Sequence, residues 1–246
     1  MKILNQHIKS GDFKPVYLIY GTEDYLRKQY RDKMRQAIVG EDTMNYSYCE
    51  GKGISVKEVI DLGETLPFVS ERRLIVVENS GFFSSAQDEL AAYLKEMPET
   101  TCFIFVEKDV DKRNKLFKTV STLGYGANMT PPDERTLMRW IAGLLKGEGR
   151  QMSENTLRYF LERIDTDMEN IRRELDKLIV YTDGRSEIFR EDIDAVCTVY
   201  TESQVFDMVK AVAEKQPAKA LTLYDDLIGQ KEAPMRILYW ITRQFN

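Results

Sequence analysis

The run Val16-Tyr17-Leu18-Ile19-Tyr20, closed by Gly21-Thr22-Glu23-Asp24, decides how the first half of the chain is read. Five consecutive apolar residues without alternation predict a strand buried on both faces. Gly21 ends it, and Asp24 is expected to cap a helix through Leu26, Tyr30, Met34 and Ile38 that stops at Gly40. Outward from there the pattern repeats. Met44 to Cys49 predicts a second strand, and Ser55 caps a helix with Val56, Val59, Ile60 and Leu62 inward. Leu74-Ile75-Val76-Val77 is a third strand. Ser85 then begins a helix carrying Leu90, Tyr93, Leu94 and Met97, which Pro98 ends. Cys102-Phe103-Ile104-Phe105-Val106 is a fourth strand, followed by a basic amphipathic helix through Leu116, Phe117 and Val120. Strands alternating with crossover helices predict a parallel sheet covered on both faces, an α/β unit.

Past Pro131-Pro132 the pattern becomes all-α. Helices open at Asp133, Ser153, Asp167 and near Arg190, with apolar residues at core spacing, and make a small helical unit. Further helices begin around Glu202, after Pro217 and at Pro234. The expected division is therefore 1–132, 133–200 and 201–246. The last segment ends on Trp240, Ile241 and Phe245 with no polar tail, so we expect neighbours to cover them and the third domain to be cut short.

Composition narrows the function classes. With 246 residues, 43% hydrophobic and 30% charged, disorder, collagen and a disulfide scaffold are excluded. Lys+Arg 35 against Asp+Glu 40 gives a net charge of −5, which argues against nucleic-acid binding driven by bulk positive charge. Three separated cysteines and one histidine, His7, form no metal-ligand spacing, so no metal site is expected. The first residues lack the apolar core of a signal peptide, and no run approaches a membrane span of roughly 20 residues. The expectation is a soluble, cytoplasmic protein with no membrane partner.

In parallel-sheet folds phosphates bind where the first strand meets its helix. A phosphate loop needs several glycines, a lysine and a Ser/Thr. Here the loop has one glycine, Gly21, and places Glu23 and Asp24 where polyphosphate oxygens would lie. A like-charge contact at ~4 Å costs about 4 kcal/mol per unit charge pair at an effective dielectric of ~20. Gly21, Glu23 and Asp24 thus mark a degenerate phosphate-loop position, with the two carboxylates read as cap residues rather than an acid/base pair. No catalytic residue and no cofactor is expected.

Leu66-Pro67-Phe68-Val69, between a helix and the third strand, permits two readings. Either it is a pre-ordered apolar knob for a partner pocket, or Leu66 and Phe68 seal the sheet end. Phe82-Phe83 is a rival exposed pair. Lys112, Arg113, Lys115 and Lys118, with Lys108 nearby, form a basic cluster whose default is a solvated face and whose alternative is a DNA-phosphate or partner contact. His7 is assigned a surface or packing role.

Val16-Tyr17-Leu18-Ile19-Tyr20-Gly21 with Glu23 and Leu26, and Leu66-Pro67-Phe68 before Arg72-Arg73-Leu74-Ile75-Val76-Val77, resemble the N-terminal domain of the bacterial DNA polymerase III delta subunits. Ile171, Glu174, Leu175, Lys177, Leu178 and Tyr181 are similar to that family's second-domain helix. Val205-Phe206-Asp207-Met208-Val209, with Ala211, Ala220, Leu221, Leu227, Gly229, Pro234 and Arg243-Gln244-Phe245, resembles the start of its third domain. The resemblance implies an AAA+-like clamp-binding domain without a phosphate loop, a helical lid domain and the start of a helical collar. It further implies a clamp-loader subunit that binds and opens the sliding clamp (beta) through Leu66, Pro67 and Phe68. It would have no catalysis of its own and would act in the DNA polymerase III holoenzyme. Implied partners are the ATP-binding loader subunits (tau/gamma), delta-prime and, through the assembled complex, primed DNA. The alternatives from another class are an AAA+-type ATPase or nucleic-acid-processing enzyme with a cryptic site, and a free-standing scaffold.

Overall fold

The computed structural model describes residues 1–164, 167–198, 201–229 and 234–245. The chain forms two compact units, Met1–Pro131 and Pro132–Asn246. The expected second boundary, at 200/201, falls at Tyr200, outside the described residues. So do the side chains of Trp240 and Phe245, which were expected to need cover.

The first unit runs α1 (Lys2–Ser10), β1 (Val16–Tyr20), α2 (Asp24–Val39), β2 (Tyr46–Glu50), α3 (Val56–Glu64) and β3 (Arg73–Glu78). A 3-10 turn (Phe82–Ser84), α4 (Asp88–Tyr93), β4 (Thr101–Glu107), α5 (Lys115–Leu123) and β5 (Tyr125–Asn128) complete it. All four strand pairings are parallel, in the order β2-β3-β4-β1-β5. The register places Val16 and Ile75 on either side of Phe103, so these three side chains share one face. On that face Val16, Leu18, Ile75, Val77, Phe103 and Phe105 pack with Val59, Phe83, Leu90, Leu116 and Val120 from the surrounding helices. Phe103 and Phe105 stack at 5.7 Å between centroids. Tyr17, Ile19, Leu74, Val76, Ile104 and Val106 alternate with them and are equally buried, on the side that packs α2 through Leu26, Tyr30 and Met34. Every residue of β1, β3 and β4 is buried, as a sheet covered on both faces requires.

Several expectations are corrected. The sheet has five strands, not four, because Tyr125–Asn128 adds an edge strand that is too short and too polar to stand out. It lies so close to β1 that a Cβ on Gly124 would sit 1.7 Å from the Val16 carbonyl oxygen. Lys2–Ser10 is a helix, and His7 on it bonds through Nδ1 to the Tyr17 hydroxyl at 3.0 Å. The helix expected from Ser85 to Met97 is only Asp88–Tyr93. Ahead of it Phe82 and Phe83 turn into the core at 5% and 0% exposure, which removes them as a rival exposed pair.

In the second unit α6 (Glu134–Gly147), α7 (Glu154–Arg163) and α8 (Met168–Tyr181) open on the Asp133, Ser153 and Asp167 side chains, each accepting a backbone N–H three residues on. Next come α9 (Arg190–Val196), α10 (Thr201–Ala213), α11 (Pro217–Gly229) and α12 (Pro234–Phe245). Val205, Met208, Val209, Ala220, Leu227 and Ile237 form a hydrophobic cluster among the last three helices. No described helix is long and apolar enough to cross a membrane, and no His/Cys/Asp/Glu group among the described residues could hold a metal ion.

Candidate functional site

Because the strands are parallel, their C-terminal ends share one edge of the sheet and the loops entering them share the other. The turn after β1 lies on the first edge. Leu66-Pro67-Phe68, which precedes β3, lies on the second, beside the loop that enters β2.

At the first edge three amides of the β1–α2 turn already have protein acceptors. The Gly21 amide donates to the Glu107 carbonyl at 3.2 Å, the Glu23 amide to the Met129 carbonyl at 3.0 Å, and the Tyr25 amide to Glu23 Oε1 at 3.2 Å. Glu23, not Asp24, is the N-cap of α2, and Asp24 stands in the first turn. The buried Arg27 guanidinium donates to the Gly21 carbonyl and to Asp24 Oδ1, at 2.6 Å in the latter case. Lys28 reaches Asp24 Oδ2 at 2.7 Å. Burial alone would raise the Asp24 carboxyl, but the bonds and Coulomb attraction of Lys28 and Arg27 outweigh it and hold the group below its ordinary value. Gly21 adopts φ 127°, and a Cβ there would meet the Met129 carbonyl oxygen at 2.3 Å. Close backbone approach, not phosphate binding, therefore accounts for this glycine. Two further carboxylates at this edge, Glu78 and Glu107, are buried against protein donors. Tyr48 donates to Glu78 at 3.0 Å, and Ser80 and Gly81 donate to Glu107. Burial raises the Glu107 carboxyl, and those two donors only partly offset it. This edge is closed on itself, its carboxylates Asp24 and Glu78 already paired with Arg27, Lys28 and Arg31, a poor host for polyphosphate.

The second edge is open and apolar. Leu66, Phe68 and Val69 are 69%, 63% and 90% exposed, with Pro67 half-buried between them. Of the two sequence readings, sealing of the sheet end is excluded. The chain is tied by hydrogen bonds as it approaches this point. A capping box of Ser55 and Glu58 opens α3, and its last carbonyls are taken by Arg73, which donates to Leu62 at 3.2 Å, and by Thr101, which donates to Gly63 at 2.8 Å. Arg73 also donates to the Met44 carbonyl and the Ser47 hydroxyl, tying the two loops of this edge together. The Phe68 backbone is gripped by the Asn45 side chain, which accepts from its N–H at 2.7 Å and donates to its carbonyl at 2.8 Å. Val69 then takes φ 49°, a conformation that β-branched residues rarely adopt. Met44, 66% exposed, lies in the loop that enters β2 on the same edge.

The basic cluster is less free than its composition suggests. Arg113 is paired with Asp111 at 2.9 Å and Lys115 with Asp88 at 2.9 Å. Hydrogen bonds from the Arg113 side chain and backbone bring the Asp111 carboxyl down to about 2. Lys112 stands over the Tyr20 ring at 5.8 Å, and Lys118 remains an exposed cation within Coulomb range of Asp111.

Sequence reasoning missed Arg27 and Asn45. The first had a signal, since Asp24 with Arg27 and Lys28 is the i, i+3 and i, i+4 spacing of helix ion pairs. A buried asparagine ahead of a strand has none.

Two family models match the chain: that of the DNA polymerase III delta subunit over residues 17–124, and that of the C-terminal domain of the DNA polymerase III delta subunit over residues 202–246. Among curated proteins, the DNA polymerase III subunit delta of Bacillus subtilis (strain 168) is 24% identical over 252 residues, covering 97% of this chain and 73% of that protein. The probable DNA polymerase III subunit delta of Aquifex aeolicus (strain VF5) is 23% identical over 236 residues, covering 91% and 66%. Among solved structures, the Bacillus subtilis DNA clamp loader delta protein superposes with a TM-score of 0.70 at 23% identity, over 99% of this chain and 76% of that one. A RuvB variant from Thermotoga maritima does so with a TM-score of 0.50 at 13% identity, over 89% and 78%. These superpositions bear on the fold, a parallel-sheet α/β unit followed by helices.

Proposed function

Since the chain belongs to the DNA polymerase III delta-subunit family, we propose that it is the clamp-loader subunit that docks on the sliding clamp (beta) through Leu66, Pro67 and Phe68 and favours the opened ring. The observation that carries this reading is the apolar prong itself, two large side chains held in solvent on a loop whose backbone is fixed. Such anchors dominate many interfaces at about 2–4 kcal/mol each, and a fixed backbone leaves little ordering to be done on binding. A ligand shifts an equilibrium only by its differential affinity. The surface around the prong must therefore fit the opened clamp better than the closed one.

The remaining assignments follow from the same reading. Residues 1–132 form the clamp-binding domain, 133–200 the lid, and 201–246 contribute to a helical collar shared with the ATP-binding loader subunits (tau/gamma) and delta-prime. Primed DNA is met through the assembled complex in the cytoplasm, and this subunit performs no catalysis. The test is clamp binding by the Leu66→Ala, Phe68→Ala double variant. We expect affinity to fall at least tenfold with the melting temperature unchanged, because both side chains are already in water. Unchanged affinity overturns the assignment.

A further inference from the structure

We infer that Asn45, held in place by Asp42, is a positioning residue for the prong, an inference that rests on the docking reading above. The amide of asparagine offers two N–H donors and one carbonyl acceptor. All are committed here: its nitrogen donates to Asp42 Oδ2 at 2.6 Å and to the Phe68 carbonyl at 2.8 Å, and its oxygen accepts from the Phe68 N–H at 2.7 Å. A carboxylate can only accept, so the Asp42 contact fixes which amide atom is nitrogen. Asn45 thereby pairs both backbone groups of one residue, as a neighbouring strand would. It does so at 1% exposure, while the Phe68 side chain that it positions is 63% exposed.

The pairing of β2 with β3 does not need this side chain. The Asn45 backbone carbonyl already accepts from the Leu74 amide at 2.8 Å, and the Asn45 side-chain bonds run only to Asp42 and Phe68. Asp42 in turn accepts from the Met44 and Asn45 amides at 2.8 and 3.1 Å, so the turn that carries Asn45 is itself fixed. With Pro67 limiting φ on one side and Val69 turned left-handed on the other, the clasp leaves the prong one backbone geometry. Its role is to remove the ordering cost that a free loop would meet on binding.

The test uses the full chain and the sliding clamp. Asn45→Ala, the isosteric Asn45→Asp, and Asp42→Asn at the turn are each made in the wild type and in the Leu66→Ala, Phe68→Ala background. Amide exchange at Phe68 is followed in the free protein. We expect each clasp variant to weaken clamp binding about tenfold in the wild type, to speed Phe68 exchange, and to cause no further loss where the prong is already absent. An equal loss in both backgrounds would overturn the positioning role in favour of a general contribution to the fold. So would clasp variants that bind like the wild type while the prong variants are weakened. Unchanged binding by the prong variants would instead overturn the docking reading, and Phe68 exchange would then report on the clasp alone.

Discussion

At Asp42 one carboxylate accepts from the Met44 amide, the Asn45 amide and the Asn45 side chain. The Asn45 side-chain bond, followed by its backbone bond, holds the Asp42 carboxyl below its ordinary value. A group whose folded value is depressed stabilises the fold above its unfolded value, about 3.9 for aspartate, and loses that contribution as the pH falls through the folded value. Asp42→Asn should therefore melt below the wild type near neutral pH. The gap should close on acidification below about pH 4. Melting curves of both proteins across that range provide the check, and a gap that persists at the acid end would mean the carboxylate charge is not what holds the turn. Little of this was legible in the sequence. The Asp42-to-Asn45 spacing is common in turns, and nothing local says that the asparagine side chain reaches a backbone 23 residues away.

At the scale of elements, legibility followed burial. β1, β3 and β4 are covered on both faces and appear as unbroken apolar runs, whereas the edge strands β2 and β5 mix polar residues or glycine and give a weak signal or none. The Phe82-Phe83 pair was misplaced for the related reason that an apolar pair in a loop has no period to tell inside from outside. The start of α3 was readable because its cap is written locally, with the Ser55 hydroxyl accepting from the Glu58 amide at 3.1 Å and the Glu58 carboxylate accepting from the Ser55 amide at 2.9 Å. Ser55→Ala should cost about 1 kcal/mol of stability, readable by urea unfolding. Clamp affinity should stay unchanged, because the far end of α3 is tied separately by Arg73 and Thr101. Weakened clamp binding in a still-folded Ser55→Ala protein would show that the helix start and the prong are coupled.

On the scale of the whole molecule the question is which edge of the sheet does the work. An ATPase on this fold would use the β1–α2 edge, and there the Gly21, Glu23 and Tyr25 amides are taken by the Glu107 carbonyl, the Met129 carbonyl and the Glu23 carboxylate, while the Gly21 carbonyl accepts from the Arg27 guanidinium. To admit a triphosphate the chain would have to break those bonds and bring further negative charge beside Glu23 and Asp24, in a protein whose net charge is already −5. Nothing at the opposite edge has to break for an apolar partner to dock. The two readings therefore separate in one titration of the intact chain with ATP and magnesium. A site filled to 100 times its dissociation constant would stabilise the fold by about 2.7 kcal/mol. For a domain of this size that is a rise of several degrees in melting temperature. We expect no rise at millimolar nucleotide, and a clear one would transfer the function from the prong to the turn.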